Sequence, residues 1–176
     1  MAKSPQAMNF DRCRELAESH WRVPLEAKMQ QLIERASRQF AHEFTTPELH
    51  FNQRGTCAGS ARLNTQEMRL NPVLLEAQPD CFVSDIMPHE LAHLLVHQYY
   101  GRVPPHGAQW QHMMAEVFGV KPARTHRLDV TDVQGQTFAY ECGCQRHSLT
   151  IRRHNKIERG ATYRCRKCGE ALARAA

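Results

Sequence analysis

The sequence has no long hydrophobic run. Its longest aliphatic stretches, Val73-Leu74-Leu75 and Leu94-Leu95-Val96, fall far short of the ~20 apolar residues that span a bilayer. A membrane-spanning role is therefore excluded. No internal repeat or low-complexity tract is present, so organisation has to be read from changes of hydrophobic period. The first residues, MAKSPQAMNFDRCREL, carry no apolar segment of signal-peptide type, and a cytoplasmic location is expected. In a reducing compartment a disulfide framework does not persist, so the seven cysteines are read for metal binding instead.

What remains is a chain of 176 residues, 41% hydrophobic. That length suits one compact domain with a small appendage. The net charge of +5 is unevenly spread. From Cys142 to the end there are nine Lys/Arg and two Asp/Glu, a balance of +7, which leaves −2 for residues 1–141. A near-neutral body thus carries a basic tail piece, and such asymmetry points to an anionic partner. We place the boundary at residue 135, with a body over 1–135 and a basic appendage over 136–176.

Residues 9–22 and 24–43 read as two amphipathic helices, with Leu25, Met29, Leu32, Ile33, Ala36 and Phe40 at three-to-four spacing and Pro24 at a helix start. Residues 48–71 read as short strands in an antiparallel meander. Helical spacing returns over 81–100, where Pro88 starts or bends the helix. It returns again over 107–118, which Gly119 stops. Residues 128–141 and 147–164 read as short strands. The fold class is α+β.

The sharpest motif is His89-Glu90-Leu91-Ala92-His93. On a helix, residues four apart lie on one face, so both imidazoles reach one ion, with Glu90 beside it as a candidate general base. Such a motif also arises by chance, and a histidine-rich helix with solvated side chains is the bland alternative. A catalytic zinc needs a third protein ligand and an open position. His97 continues the series, but eight residues of helix separate it from His89 by about 12 Å. His106 follows the Gly101 to Pro105 turn and is better placed; His112 is the weaker candidate.

Several further segments carry a resemblance. Arg54-Gly55-Thr56-x-Ala58-Gly59, Arg69-Leu70-Asn71-Pro72 with Leu74-Leu75, Pro88 through Leu95, and His106-Gly107-x-x-Trp110 are together similar to the SprT family. The likeness runs from about residue 10 to about residue 172. It implies a zincin-like metalloprotease with His89, His93 and His106 as zinc ligands and Glu90 as general base, acting on protein substrates. Eukaryotic relatives, the Spartan proteases, cleave proteins crosslinked to DNA. The strands between Arg54 and Asn71 either line the cleft and add a substrate strand by edge pairing or only cover the helix. Tyr99, Tyr100 and Arg54 are candidate oxyanion stabilisers. The competing reading is a non-proteolytic nucleic-acid-binding zinc protein or regulator.

Cys142-Gly143-Cys144 and Cys165-Arg166-Lys167-Cys168 have the pattern of a zinc ribbon, whose thiolates close a structural site. The first pair is one residue short of the usual spacing. His147 is therefore an alternative ligand to Cys142, although ligand softness favours the four cysteines. Cys13, Cys57 and Cys81 read as small buried residues. The ribbon also carries Arg152-Arg153-His154-Asn155-Lys156, Arg159, Arg164, Arg166 and Lys167, with Tyr140 and Tyr163 nearby for base stacking. Bound zinc and four thiolates trim its +7 to about +5. Sequence-independent DNA binding is the expectation, with a plain solvated basic surface as its alternative.

Overall fold

The computed structural model describes residues 9–125 and 128–175. Two units make up the chain, Met1–Val133 and Gln134–Ala176. Residues 1–8, on which part of the N-terminal reading rests, lie outside the described residues.

The first unit begins with α1 (Phe10–Leu16), a π-helical turn (Ala17–Trp21) and α2 (Arg22–Phe40). The break anticipated before Pro24 is thus a widened turn inside one helical run. A wide turn leaves room for a proline ring whose preceding turn would otherwise clash. The run stops at Ala41, which takes a left-handed conformation with φ 46°, so residues 41–43 are not helical. Leu25, Met29, Leu32, Ile33 and Ala36 form the buried face of α2.

Three short strands follow: β1 (Glu48–His50), β2 (Gly59–Arg62) and β3 (Glu67–Leu70). Their order is β1-β3-β2. The β2–β3 pair is an antiparallel hairpin, as alternation suggests, but β1 runs parallel to β3. The sheet is therefore mixed where a plain meander was anticipated. The eight residues between β1 and β2 carry the chain across, so β2 is left on an edge. Met68 and Leu70 alternate with Glu67 and Arg69 and face the core.

A short helix absent from the sequence reading, α3 (Pro72–Ala77), starts directly after β3. Asn71 sets that corner. Its Oδ1 accepts from the Val73 amide at 3.1 Å, while its Nδ2 donates to the Gly55 and Cys57 carbonyls at 2.8 and 3.2 Å. Next come α4 (Pro79–Cys81), a π-helical turn (Phe82–Ile86) and α5 (Met87–Tyr100). Pro88 sits in the first turn of α5, right after the π turn, so the helical run passes it without a clash. From Met87 through Val96 every residue except His93 is buried, as befits a helix enclosed on all sides. The last α-helix of this unit is α6 (Ala108–His112), continued by a π-helical stretch (Met113–Phe118) and ended at left-handed Gly119; a 3-10 turn (Thr131–Val133) follows where strand was expected.

The second unit is smaller. β4 (Thr137–Cys142) and β5 (Gln145–Thr150) form a hairpin, and β6 (Ala173–Arg174) adds to the other side of β4. Residues 151–158, read as strand from the sequence, form helix α7 (Ile151–Glu158). Buried His154 anchors it by stacking on Phe138 at 3.7 Å, and its Nδ1 hydrogen-bonds the Tyr140 hydroxyl at 2.9 Å. Among the described residues no helix is long and apolar enough to cross a membrane.

Candidate metal centre

Helix α5 presents His89, Glu90 and His93 from its first two turns. The chain leaves α5 at Gly101, with φ 70°, and folds back through Pro104 and Pro105. His106 then adopts φ 56°, a conformation that costs a non-glycine side chain about 1–3 kcal/mol and persists only where its surroundings enforce it. Two contacts enforce it here. The Gly107 amide donates to the Pro104 carbonyl at 3.1 Å, and Gln111 Nε2 donates to the His106 carbonyl at 3.0 Å. A Cβ at Gly107 would stand 2.9 Å from that same Pro104 oxygen, so the turn needs glycine.

The outcome is a triangle of ring nitrogens. The Nε2 atoms of His89, His93 and His106 lie 3.1–3.2 Å apart. A tetrahedral zinc with bonds near 2.0–2.1 Å needs its nitrogens about 3.3 Å apart, so the three donors fit such an ion. Burial, then the neighbouring His106, pushes His93 down to about 4. His106 is lowered by burial and by Arg124. Both imidazoles are therefore neutral at physiological pH, the form that offers a lone pair to a metal. His97 and His112 do not join this group. His97 lies further along α5, and His112 packs edge-on against Phe40 at 6.0 Å.

Two residues that the sequence reading left without a role complete the site. Trp110 is fully buried behind the imidazoles, with ring centroids 4.8, 5.5 and 4.7 Å from His89, His93 and His106. Its Nε1 donates to the His89 carbonyl at 3.3 Å. Its spacing three residues after Gly107 was the only signal available. Gly59 is the second. A Cβ there would meet Glu90 Cγ at 2.9 Å and Ile86 and Leu70 side-chain carbons at 3.2 Å. Strand β2 can thus lie directly against α5.

Glu90 is 8% exposed. Burial raises its carboxyl to about 7, against the opposing pull of the Ala61 backbone amide that hydrogen-bonds it. Glu90, His89, His93 and His106 share a cleft of about 350 Å³ with Gly59, Ser60, Ala61, Leu63 and Pro105. The Asn71 amide donates to the Ala58 carbonyl at 2.8 Å, which sets the hydrogen-bonding phase of the β2–β3 pair. In that phase Gly59 and Ala61 turn their backbone groups to the free edge. None of the three oxyanion candidates lines the cleft. Arg54 sits over the Phe10 ring at 3.7 Å, and Tyr99 and Tyr100 pack against Phe40. Contacts with aromatic rings claim all three.

The second unit holds a sulfur cluster. Sγ atoms of Cys142, Cys144, Cys165 and Cys168 lie within 4.8 Å of one another. Cys142–Cys144 is 3.5 Å and Cys144–Cys165 is 3.7 Å, close to the roughly 3.8 Å between sulfurs around a tetrahedral zinc. The short C-x-C spacing is accommodated because the β4–β5 turn bends sharply at Gly143, where a side chain would clash with Glu170. His147 stays outside the four-sulfur group, its Nε2 3.3 Å from Cys142 Sγ, and that contact lowers the Cys142 thiol to about 6. Of the remaining cysteines only Cys13 is buried; Cys57 is exposed and Cys81 half-buried. Tyr140 is also buried and cannot stack on a base.

Comparison with known proteins bears on both units. Residues 29–126 match the SprT-like family, and residues 136–173 match the SprT-like zinc ribbon domain. Protein SprT of Yersinia enterocolitica is 51% identical over 141 residues, covering 80% of this chain and 83% of that protein. Protein SprT of Photorhabdus laumondii is 50% identical over 145 residues, 82% of this chain and 75% of its own length. Protein SprT of Yersinia pestis is 49% identical over 158 residues, 86% and 93% of the two chains. No solved structure matches the chain significantly.

Proposed function

Because the chain belongs to the SprT-like family, we propose that it is a zinc-dependent endopeptidase that hydrolyses protein substrates. The observation that carries this reading is the buried carboxyl of Glu90 beside the three converging imidazoles, in a cleft that runs along a strand edge. A purely structural site needs neither the base nor the opening.

His89, His93 and His106 would hold the ion. Such an ion, when bound, supplies Lewis acidity, lowering the pKa of water toward ~7 and polarising a carbonyl. The protein's own groups do the rest. An extended segment of substrate pairs with the free edge of β2 at Gly59 and at the Ala61 carbonyl, which fixes the scissile peptide across the cleft. Glu90 accepts a proton from the attacking water as its oxygen bonds to the carbonyl carbon. The same carboxyl then returns that proton to the departing amine nitrogen as the C–N bond breaks. Its buried setting suits both roles, because a carboxyl with a pKa near neutrality can take up and release a proton at physiological pH. Trp110 keeps the three rings from turning out of position.

In the second unit, the four cysteines would hold a structural zinc. Arg152, Arg153 and Lys156 are exposed on α7. They support sequence-independent binding to nucleic acid phosphates, which would bring the enzyme to nucleic-acid-associated substrates.

The test is a Glu90→Gln chain assayed on casein and for self-cleavage, with single-stranded, double-stranded or no DNA. The variant keeps its fold and metal content and loses cleavage under every condition. Cleavage at the unmodified rate would overturn the mechanism.

A further inference from the structure

The cleft does not end at the metal centre. Leu63, His93 and Pro105 line it and also line a narrow adjoining cavity of about 50 Å³. That cavity in turn shares Leu63, His97 and Arg102 with a larger pocket of about 480 Å³. The walls of the larger pocket are Arg62, Leu63, Asn64, Thr65, His97 and Arg102. A basic pocket thus lies beside the cleft of the candidate metal centre, past the end of β2, with Leu63 lining both.

The chemistry of this pocket is one-sided. Two guanidiniums and an imidazole share it with the polar side chains of Asn64 and Thr65, and no carboxylate lines it. Three other arginines of this unit are matched by carboxylates. Arg22 pairs with Glu18 and Glu26, Arg69 with Glu67, and Arg14 with Asp11. Among the described residues neither Arg62 nor Arg102 takes part in an ion pair. Like charges in one concavity repel, and an anion from outside relieves that repulsion. A planar guanidinium fork matches a carboxylate bidentately.

We propose that this pocket is a carboxylate subsite of the cleft, receiving the side chain of an Asp or Glu that lies to one side of the scissile bond. The proposal rests on the endopeptidase reading, since it assumes a polypeptide in the cleft. A polypeptide fits the pocket better than a nucleic acid backbone does. Phosphates arrive as a regularly spaced row, and this pocket offers two cations beside the cleft. A substrate strand lying along β2 reaches Leu63 within a few residues, at about 3.3 Å per residue.

The experiment uses the full chain and quenched-fluorescent peptides that share one cleavable centre. Glu, Gln or Lys is placed in turn at each of about three positions on either side of the cut. At one position on one side, kcat/KM for Glu exceeds that for Gln by roughly tenfold, as a charge-assisted hydrogen bond provides. Combining Arg62→Glu with Arg102→Glu shifts the preference at that position to Lys. The milder Arg62→Gln, Arg102→Gln pair erases it, and thermal unfolding checks that each variant is folded. A Glu/Gln ratio near one at every position, or a ratio that the charge reversal leaves unchanged, overturns the subsite. Fluorescence anisotropy of the same peptides on the Glu90→Gln chain separates the two proposals. Glu-selective binding that follows the arginines, without cleavage by the unmodified chain, sinks the endopeptidase reading and keeps the subsite. Cleavage without selectivity does the reverse. Loss of oligonucleotide binding in the charge-reversed chain, with peptide selectivity intact, assigns the pocket to phosphate and overturns the proposal.

Discussion

Gly59 and Glu90 are packed so closely that a Cβ on the glycine would stand 2.9 Å from the Glu90 Cγ. The glycine lies on the edge strand where substrate is expected to pair, and the glutamate is the candidate base. Their contact fixes the distance between the element that would hold the peptide and the group that would act on it.

Gly59→Ala should therefore displace the base. The added methyl group also meets Ile86 and Leu70 at 3.2 Å, so no direction is free for relief. A shift of about 1 Å in a catalytic group costs up to roughly 100-fold in rate, while overpacking costs about 1–3 kcal/mol of stability. The expected outcome is a kcat/KM lower by ~10–100-fold at full metal occupancy. Peptidase kinetics paired with metal analysis would decide it, and unchanged kcat/KM would refute the positional role.

The two candidate metal sites should empty independently. His106→Ala removes one of the three nitrogens and Cys165→Ser one of the four sulfurs, and the two groups lie in different units. Mass spectrometry under native conditions should show about two zinc ions per chain, with each substitution removing one. Only the histidine change should abolish cleavage at once. Loss of both ions from either variant would mean that the sites are coupled.

Trp110 backs the three imidazoles from within the core. Trp110→Ala should lower stability by about 3–5 kcal/mol, as expected for a truncated buried aromatic. Trp110→Phe keeps most of the packing but removes the hydrogen bond from Nε1 to the His89 carbonyl. Its metal affinity should fall by roughly 10–100-fold, the usual cost of removing a group that orients a ligand. Denaturant unfolding and metal titration would read the two effects separately.

DNA binding, if carried by the basic helix α7, should weaken steeply as salt rises. Neutralising Arg152, Arg153 and Lys156 together should lower the slope of log affinity against log salt by up to about 2.7, or roughly 0.9 for each phosphate that is no longer neutralised. His154 is excluded from such a set because it is buried against Phe138. Equal slopes for the two proteins would remove α7 from the interface.

Much of this protein is legible one short segment at a time. His89, Glu90 and His93 are four residues or fewer apart on one helix, so helical geometry alone brings them together. The Cys165–Cys168 turn is equally local. The hydrophobic period locates α2 and α5, and Gly119 marks the end of the helical run that begins with α6. The misread parts depend on long-range contacts. β1 joins β3 in parallel because the chain crosses over between them, and alternation within a strand carries no information about its partner. Helix α7 forms where isolated residues looked like strand, since burial of His154 against Phe138 and Tyr140 outweighs the weak intrinsic preference of a basic segment.

The site divides in the same way. The residue types and the spacing of the histidines and cysteines define which ions the chain can bind, because ligand chemistry is written in side chains. The tertiary structure decides three other matters. It turns His106 back by a strained turn to lie 3.1 Å from His89 and His93, and it places Gly59 against Glu90. It also removes Arg54, Tyr99 and Tyr100 from the cleft by giving them aromatic partners elsewhere. Each of these is a contact between residues far apart in sequence, set by how the elements pack, and no local period records it.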